Sequence, residues 1–420
     1  MQWALYVFGA FGYALLYTAL LTMHIYRYDP GEPNPYGWPV LASSALVGVA
    51  ALLSRIFNPF ASIVVGYLSD KTSSRWGRRR PFMAIALLPM LAGFVFVFTP
   101  PFLYVCLGNV AYLTVTLIVF FLAFSVYMTP YLALLAEIAR TTKQRVQLSM
   151  LVAISNLLGN AVGLIAAPWL VERLGFLNMA LILSAISLIS LVAPLAIKED
   201  ANLPRPKRMD FWNSVQTVGQ NPTFRPYLVS QIAMWFTINI IYLCSNHFVI
   251  AMLHRDIGFG SVVNGVIMGG TIIGFVPINL LTKYWGKKAT LRLSLIWLGI
   301  SLLGLGVWPL WIRDTLWLCL ALLTLFGAGL SGLFILPNAM LADIVDEDAK
   351  QTGVQRGAIY FGVQAMVVTV SSGLASLLAG AILMLGKTPV QSLGVQLIYP
   401  VAGFFALGAA WILADYPLSE

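Results

Sequence analysis

The sequence predicts an all-α membrane protein of twelve transmembrane helices in two six-helix pseudo-repeat bundles. Three observations carry that expectation. Hydrophobic residues make up 59% of the 420, more apolar surface than a soluble domain keeps from water. They fall in runs long enough to cross a bilayer core, which takes roughly 20 residues per helix. And short motifs of the first half return in the second at a nearly constant offset.

The runs lie near 4–25, 40–68, 82–99, 108–137, 147–171 and 176–197, then near 225–252, 262–284, 290–311, 315–341, 355–384 and 393–414. Within lipid each segment must satisfy its own backbone polar groups, so helices are expected. The opening MQWALYVFGAFGY has neither a positive stretch nor a small-residue cleavage site, so the first run reads as a retained helix. Cys106, Cys244 and Cys319 sit in apolar runs with no disulfide or metal-ligand spacing, which predicts packed thiols. His24, His247 and His254 show no metal spacing either. His24 and His254 are expected at the surface near span ends, and His247 in a structural hydrogen bond. No cofactor and no metal are expected.

The net charge of +9 raises the question of a nucleic-acid partner, and the distribution of charge answers it. With alternate loops assigned to opposite sides, nineteen of the 25 Lys and Arg fall on one side and five on the other, with Arg55 inside a span. Positive loops stay in the cytoplasm. The basic balance therefore predicts orientation, with both termini cytoplasmic in a plasma (bacterial inner) membrane, and no nucleic acid. The longest polar connection, residues 198–224, carries Pro204, Pro206 and Pro222, which disfavour one continuous helix. It predicts a cytoplasmic linker between an N-terminal bundle, 1–197, and a C-terminal bundle, 225–420.

The halves echo each other. RWGRR at Arg75–Arg79 returns as YWGKK at Tyr284–Lys288, and LLAEI at Leu134–Ile138 as MLADI at Met340–Ile344, at offsets of 209 and 206. Each acidic motif follows a proline, Pro130 or Pro337. Parallel repeats of this kind are a transporter device, with the solute held between the halves near the midplane.

The stretch GYLSDKTSSRWGRRR, residues 66–80, resembles the loop between helices two and three of the major facilitator superfamily. Together with GAFGY, RIFNP, TPYLALLAEI and LADIVDEDAKQTGVQRGAIYFGVQAMVV it is similar to the glycoside–pentoside–hexuronide:cation symporter group, typified by melibiose permease. The GRRRPF ending also resembles the sucrose carriers. The resemblance implies the major facilitator fold and transport of a sugar or glycoside. It also exposes departures: the positions matching the family's cation-site and sugar-site charges are Ala14, Asn58, Ser62, Met128 and Thr369, none of them charged. That implies an uncoupled or atypically coupled carrier, with the choice between sodium and proton left open.

Two sets of residues are candidates for function. Gly66, Asp70, Arg75, Gly77 and Arg78 fit a gate: Gly66 lies one turn before Asp70 on the same helical face and admits a close neighbour, and a carboxylate at a helix end can accept from Arg or from backbone N–H groups. Glu137, Arg145, Asp343 and Arg356 extend this network. Their ordinary alternative is a solvated positive loop. The second set would line a cavity. Arg55 is an intramembrane charge, by default a functional site, with Asn58 and Ser62 roughly on its face. Asn156 and Asn160 are one turn apart. Trp235, Asn239, Tyr242 and Asn246 share one helical face, and aromatic planes with amide partners suit polyols. Tyr127, Tyr131, Asn338 and Gln364 complete the set. A packed hydrogen-bonded seam is the alternative for all of these.

The sequence thus points to a secondary transporter acting by alternating access on a small-molecule substrate, as a monomer in the lipid bilayer. An amphipathic lipid or pigment is an alternative cargo, and a non-transporting membrane scaffold or assembly factor an alternative role. No nucleophile motif or acid–base cluster lies within the spans, so an enzyme is not expected.

Overall fold

The computed structural model describes the chain except positions 33, 35, 73, 140, 198, 200–217, 312–314, 353–356 and 418–420, and except the side chains at 63, 67, 70, 71, 136, 142, 143, 145, 146, 308–311 and 358. Most of the expected linker falls outside the described residues.

The first half runs α1 (Gln2–Tyr28), α2 (Ser44–Ile56), α3 (Asn58–Lys71), α4 (Arg80–Val97), α5 (Leu107–Ile138) and α6 (Thr142–Val192). The second runs α7 (Phe224–Ala251), α8 (Phe259–Trp311), α9 (Leu316–Thr352), α10 (Gly357–Leu383) and α11 (Leu393–Ile412). α2 and α3 are one apolar span with a break at Phe57. Pro59, at the start of α3, has no N–H to offer the Arg55 carbonyl, which takes the Phe57 N–H instead.

α6 and α8 hold 51 and 53 residues. At about 1.5 Å per residue each is more than twice the roughly 30 Å hydrocarbon core. Both turn back at a glycine in a conformation that L side chains avoid, Gly175 at φ 79° and Gly286 at φ 78°. Each is therefore two crossings, and the ten long apolar helices of the described residues hold twelve spans.

The chain divides into two compact units. One comprises Met1–Pro206 with Arg255–Val262, the other Lys207–His254 with Val263–Glu420. In the first, α1 lies against the first arm of α6. Gly159 and Gly163 face the α1 backbone: a Cβ on Gly159 would stand 2.3 Å from the Phe11 carbonyl oxygen, and one on Gly163 2.8 Å from that of Leu15. Small residues four apart let two backbones meet in the absence of a hydrophobic drive between helices. The second unit uses the same device between α8 and α9, where Gly270 meets the Thr324 carbonyl and Gly274 the Ala328 carbonyl. Residues 255–262 are tied to the first unit: the Ile257 N–H donates to the Tyr36 hydroxyl at 3.1 Å, and the Ser261 hydroxyl to the Ile165 carbonyl at 2.6 Å. Burial, with the Glu172 and Asp256 carboxylates nearby, pushes the Tyr36 hydroxyl up to about 12, so it stays protonated.

His24 corrects an expectation. It is buried at 2% exposure rather than at the surface, with Nδ1 bonded to the Leu20 carbonyl of its own helix.

Candidate functional site

The motif GRRRPF forms the turn into α4, and its charges converge on two carboxylates. Arg79 Nε donates to Glu137 Oε1 at 2.6 Å, and Arg78 reaches the same oxygen at 3.6 Å. The carboxylate of Glu199, just past the last turn of the first half, accepts from the backbone N–H of Arg78, Arg79 and Arg80 at 2.5, 3.0 and 2.9 Å. These are the unsatisfied donors at the N-terminus of α4, where a negative charge is also favoured by the helix dipole. Gly77 makes room for that carboxylate. Its φ is +102°, and a Cβ there would lie 2.5 Å from the Glu199 carboxyl carbon.

The second unit repeats the arrangement at the equivalent residues. Gly286 occupies the Gly77 position, also with positive φ, and the tryptophans before them, Trp76 and Trp285, are both exposed. Lys287 pairs with Asp343 at 2.7 Å. Lys288 donates to the Tyr416 carbonyl beyond the end of α11, as the first-unit motif meets Glu199 beyond the end of α6. The two ion-paired clusters differ in exposure. Arg79 and Glu137 are 12% and 9% exposed, Lys287 and Asp343 29% and 39%. A desolvated charge pair resists breaking far more than an exposed one.

Several expected gate residues stand differently. Arg75 is exposed and takes no part in the ion pairs among the described residues. A Cβ on Gly66 would meet, among the described residues, Thr129 Cγ2 at an ordinary 3.6 Å. The Asp70 and Arg145 side chains, and Arg356 entirely, lie outside the described residues. Glu199 was missed because a single acid after a span carries no motif of its own.

Arg55 ends α2 at the break and is 4% exposed. Its Nη1 donates to the Tyr17 hydroxyl at 3.2 Å, and its guanidinium lies 4.5 Å from the Phe121 ring centroid and 5.7 Å from that of Tyr17. Asn58, at the start of α3, is 9% exposed with Oδ1 unpartnered among the described residues; Ser62 is half-buried. Asn156 and Asn160 belong to a seam: the Asn156 amide donates to the Tyr13 hydroxyl at 2.5 Å, and Asn160 Oδ1 accepts from Thr18 at 2.5 Å. Tyr127 and Tyr131 are fully buried struts rather than lining groups. Their hydroxyls donate to the carbonyls of Leu191 and Tyr6 at 2.9 and 2.7 Å.

In the second unit the candidate residues Trp235, Asn239, Tyr242 and Asn246 lie on α7. Gln231, one turn before Trp235, is fully buried, and neither its Oε1 nor its Nε2 finds a partner among the described residues. Trp235 Nε1 is unpartnered as well. The Asn239 amide donates to the Trp235 carbonyl at 2.6 Å, folding back on its own helix. Tyr242 is half-buried and Asn246 buried. Gln364 is buried and Asn338 exposed. Two orphaned amide atoms and an indole N–H in an apolar span are costly unless something hydrogen-bonds them.

The sequence matches the profile of the MFS/sugar transport protein family over residues 5–420. An uncharacterized symporter of Synechocystis, sll1374, is 21% identical over 90% of this chain and 88% of its own. A putative sulfoquinovose importer of Salmonella typhimurium is 25% identical over 90% of this chain and 79% of its own. Among solved structures, a D-xylose–proton symporter superposes with a TM-score of 0.72 at 14% identity, covering 98% of this chain and 96% of that one; this shows a shared fold. With twelve spans, a repeated motif and a match that runs to the last residue, the chain belongs to the MFS/sugar transport protein family, a family of integral membrane transporters and not of enzymes.

Proposed function

We propose that the protein carries a sugar or glycoside across the membrane by alternating access. The observation that supports this best is the α7 face. Gln231 and Trp235 offer unpartnered donors and an acceptor beside an aromatic plane, the complement of a ring with one apolar face and a rim of hydroxyls. The repeated latches supply the moving part. Alternating access needs contacts that hold one state and break in the other, and each half carries an ion pair at the same repeat position, Arg78 with Glu137 and Lys287 with Asp343. The basic ends face the cytoplasm by the positive-inside rule.

Coupling departs from the family pattern. The family's sodium site is built on carboxylates, and the five matching positions supply none, so a sodium gradient is not the driving force in this reading. The test is binding to the purified protein. Methyl glycosides should stabilise the wild type against heat, and Gln231→Leu should abolish the effect without lowering the melting temperature of the free protein. Equal stabilisation of wild type and variant would refute the α7 site.

A further inference from the structure

We propose that the turn into α4 carries a binding site for the phosphate of an anionic phospholipid, held by the Arg80 guanidinium beside the Trp76 indole. The site is independent of which solute the chain carries.

GRRRPF brings three consecutive arginines to one turn, and two of their side chains are already engaged. Arg78 and Arg79 converge on Glu137, while the Glu199 carboxylate is taken up by the backbone N–H groups of residues 78–80. The Arg80 side chain meets neither acid. It makes no ion pair and no hydrogen bond among the described residues, and its Nε is enclosed without a partner. Arginine keeps its charge in proteins, so this is a standing cation short of an acceptor. Nor does it simply stand in solvent. Arg80 is half-buried and lines a cavity of about 140 Å³ with Trp76, Ala84 and Leu195. Arg80 and Ala84 are one turn apart on α4, and Leu195 comes from the 3₁₀ turn Ala193–Ala196 that follows α6. The cavity therefore opens where two spans end, on the cytoplasmic side by the positive-inside rule.

The chemistry around it suits a headgroup. A guanidinium presents its donors as a planar fork that matches two oxygens of a phosphate. Trp76 is 64% exposed, and indoles collect at the level of the headgroups. The flanking surface is apolar: Ile85 and Leu88 on α4 are 72% and 76% exposed, and Ile189 and Val192 on α6 are exposed as well. In the membrane these side chains meet acyl chains, so a ligand seated in the cavity is continuous with the lipid. A free phosphate would use the cation alone. A phospholipid uses the cation, the indole and the apolar flank, and basic pockets between helices on the cytoplasmic side select anionic headgroups.

Native mass spectrometry of the delipidated full chain in a neutral detergent tests this, with dioleoylphosphatidylglycerol, dioleoylphosphatidylcholine and inorganic phosphate as probes. Wild type should bind its first phosphatidylglycerol about 10-fold more tightly than phosphatidylcholine, whose own ammonium offsets its phosphate. Arg80→Gln should remove most of that preference, and Arg80→Lys should keep part of it. Arg75→Gln, which deletes an exposed charge of the same motif, should leave it within about twofold. Trp76→Ala leaves every arginine in place and should weaken binding of both lipids, which reads the site even where an Arg80 variant folds poorly. Equal affinity of wild type for the two lipids overturns the proposal. So does an equal loss in Arg75→Gln and Arg80→Gln, the mark of diffuse attraction to a basic face, and so does binding unchanged in both Arg80→Gln and Trp76→Ala. Saturable stabilisation against heat by inorganic phosphate, lost in Arg80→Gln and with neither lipid bound, would identify a free anion as occupant and overturn the assignment to a lipid.

Discussion

Glu199→Gln removes one charge and little volume from the turn into α4. In the wild type three backbone N–H groups converge on the carboxylate at 2.5, 3.0 and 2.9 Å. A glutamine keeps a single acceptor oxygen for them and turns its own NH₂ toward a donor. Losing one hydrogen bond to a charged acceptor costs about 1.5–3 kcal/mol, and losing a negative charge at a helix N-terminus about 0.3–1 kcal/mol. Glu199 is half-exposed, so the lower ends apply, and the sum is about 2 kcal/mol. At roughly 1.4 kcal/mol per factor of ten, the amides of Arg78, Arg79 and Arg80 should exchange with solvent on the order of 30-fold faster. Hydrogen–deuterium exchange of a peptide spanning 76–84, followed by mass spectrometry in detergent, reads this. Exchange in the α5 interior should be unchanged. Wild-type exchange across 78–80 in the variant would show that the carboxylate does not cap α4, and the difference between the two latches would lose half its basis.

Other predictions follow from the same geometry. Glu137→Gln leaves Arg79 charged and half desolvated, and should lower stability by about 3 kcal/mol, whereas Asp343→Asn breaks a more exposed pair worth under about 1 kcal/mol; equal shifts in thermal midpoint would contradict the asymmetry. Gly286→Ala forces an L side chain to φ 78° and should lower stability by about 1–2 kcal/mol. Gly159→Ala drives a methyl into the Phe11 carbonyl and should lower it by about 1–3 kcal/mol, while Gly269→Ala, with nothing within 4 Å of the added carbon, should stay within about 0.5 kcal/mol of wild type.

The architecture was legible because lipid permits so few solutions. Apolar run length gave the spans, and the Trp–Gly motif with its distant acid gave the repeat. The structure turns that sequence echo into geometry: glycines 209 residues apart both take positive φ, Gly77 at 102° and Gly286 at 78°, and the basic residue after each, Arg78 or Lys287, meets the echoed acid. What stayed hidden depends on pairing between distant segments. Tyr127 and Tyr131 read as cavity candidates, but the sequence could not show that Leu191 and Tyr6 offer them carbonyls. The seam from Asn156 and Asn160 to α1 was weighed, yet only the structure names Tyr13 and Thr18 as its partners. Gln231 stands one turn before Trp235 in the sequence, but its lack of a partner among the described residues is a property of its neighbours. Asp29 shows the same limit: it reads as a loop acid, yet it is 1% exposed and accepts from both the N–H and the hydroxyl of Ser44 at 2.6 Å, fixing the start of α2.

Flux decides whether these features serve a carrier. The purified protein in liposomes should take up a labelled methyl glycoside saturably and without response to a sodium gradient. Uptake of the glycoside at the rate of protein-free vesicles would contradict transport of a sugar by this chain.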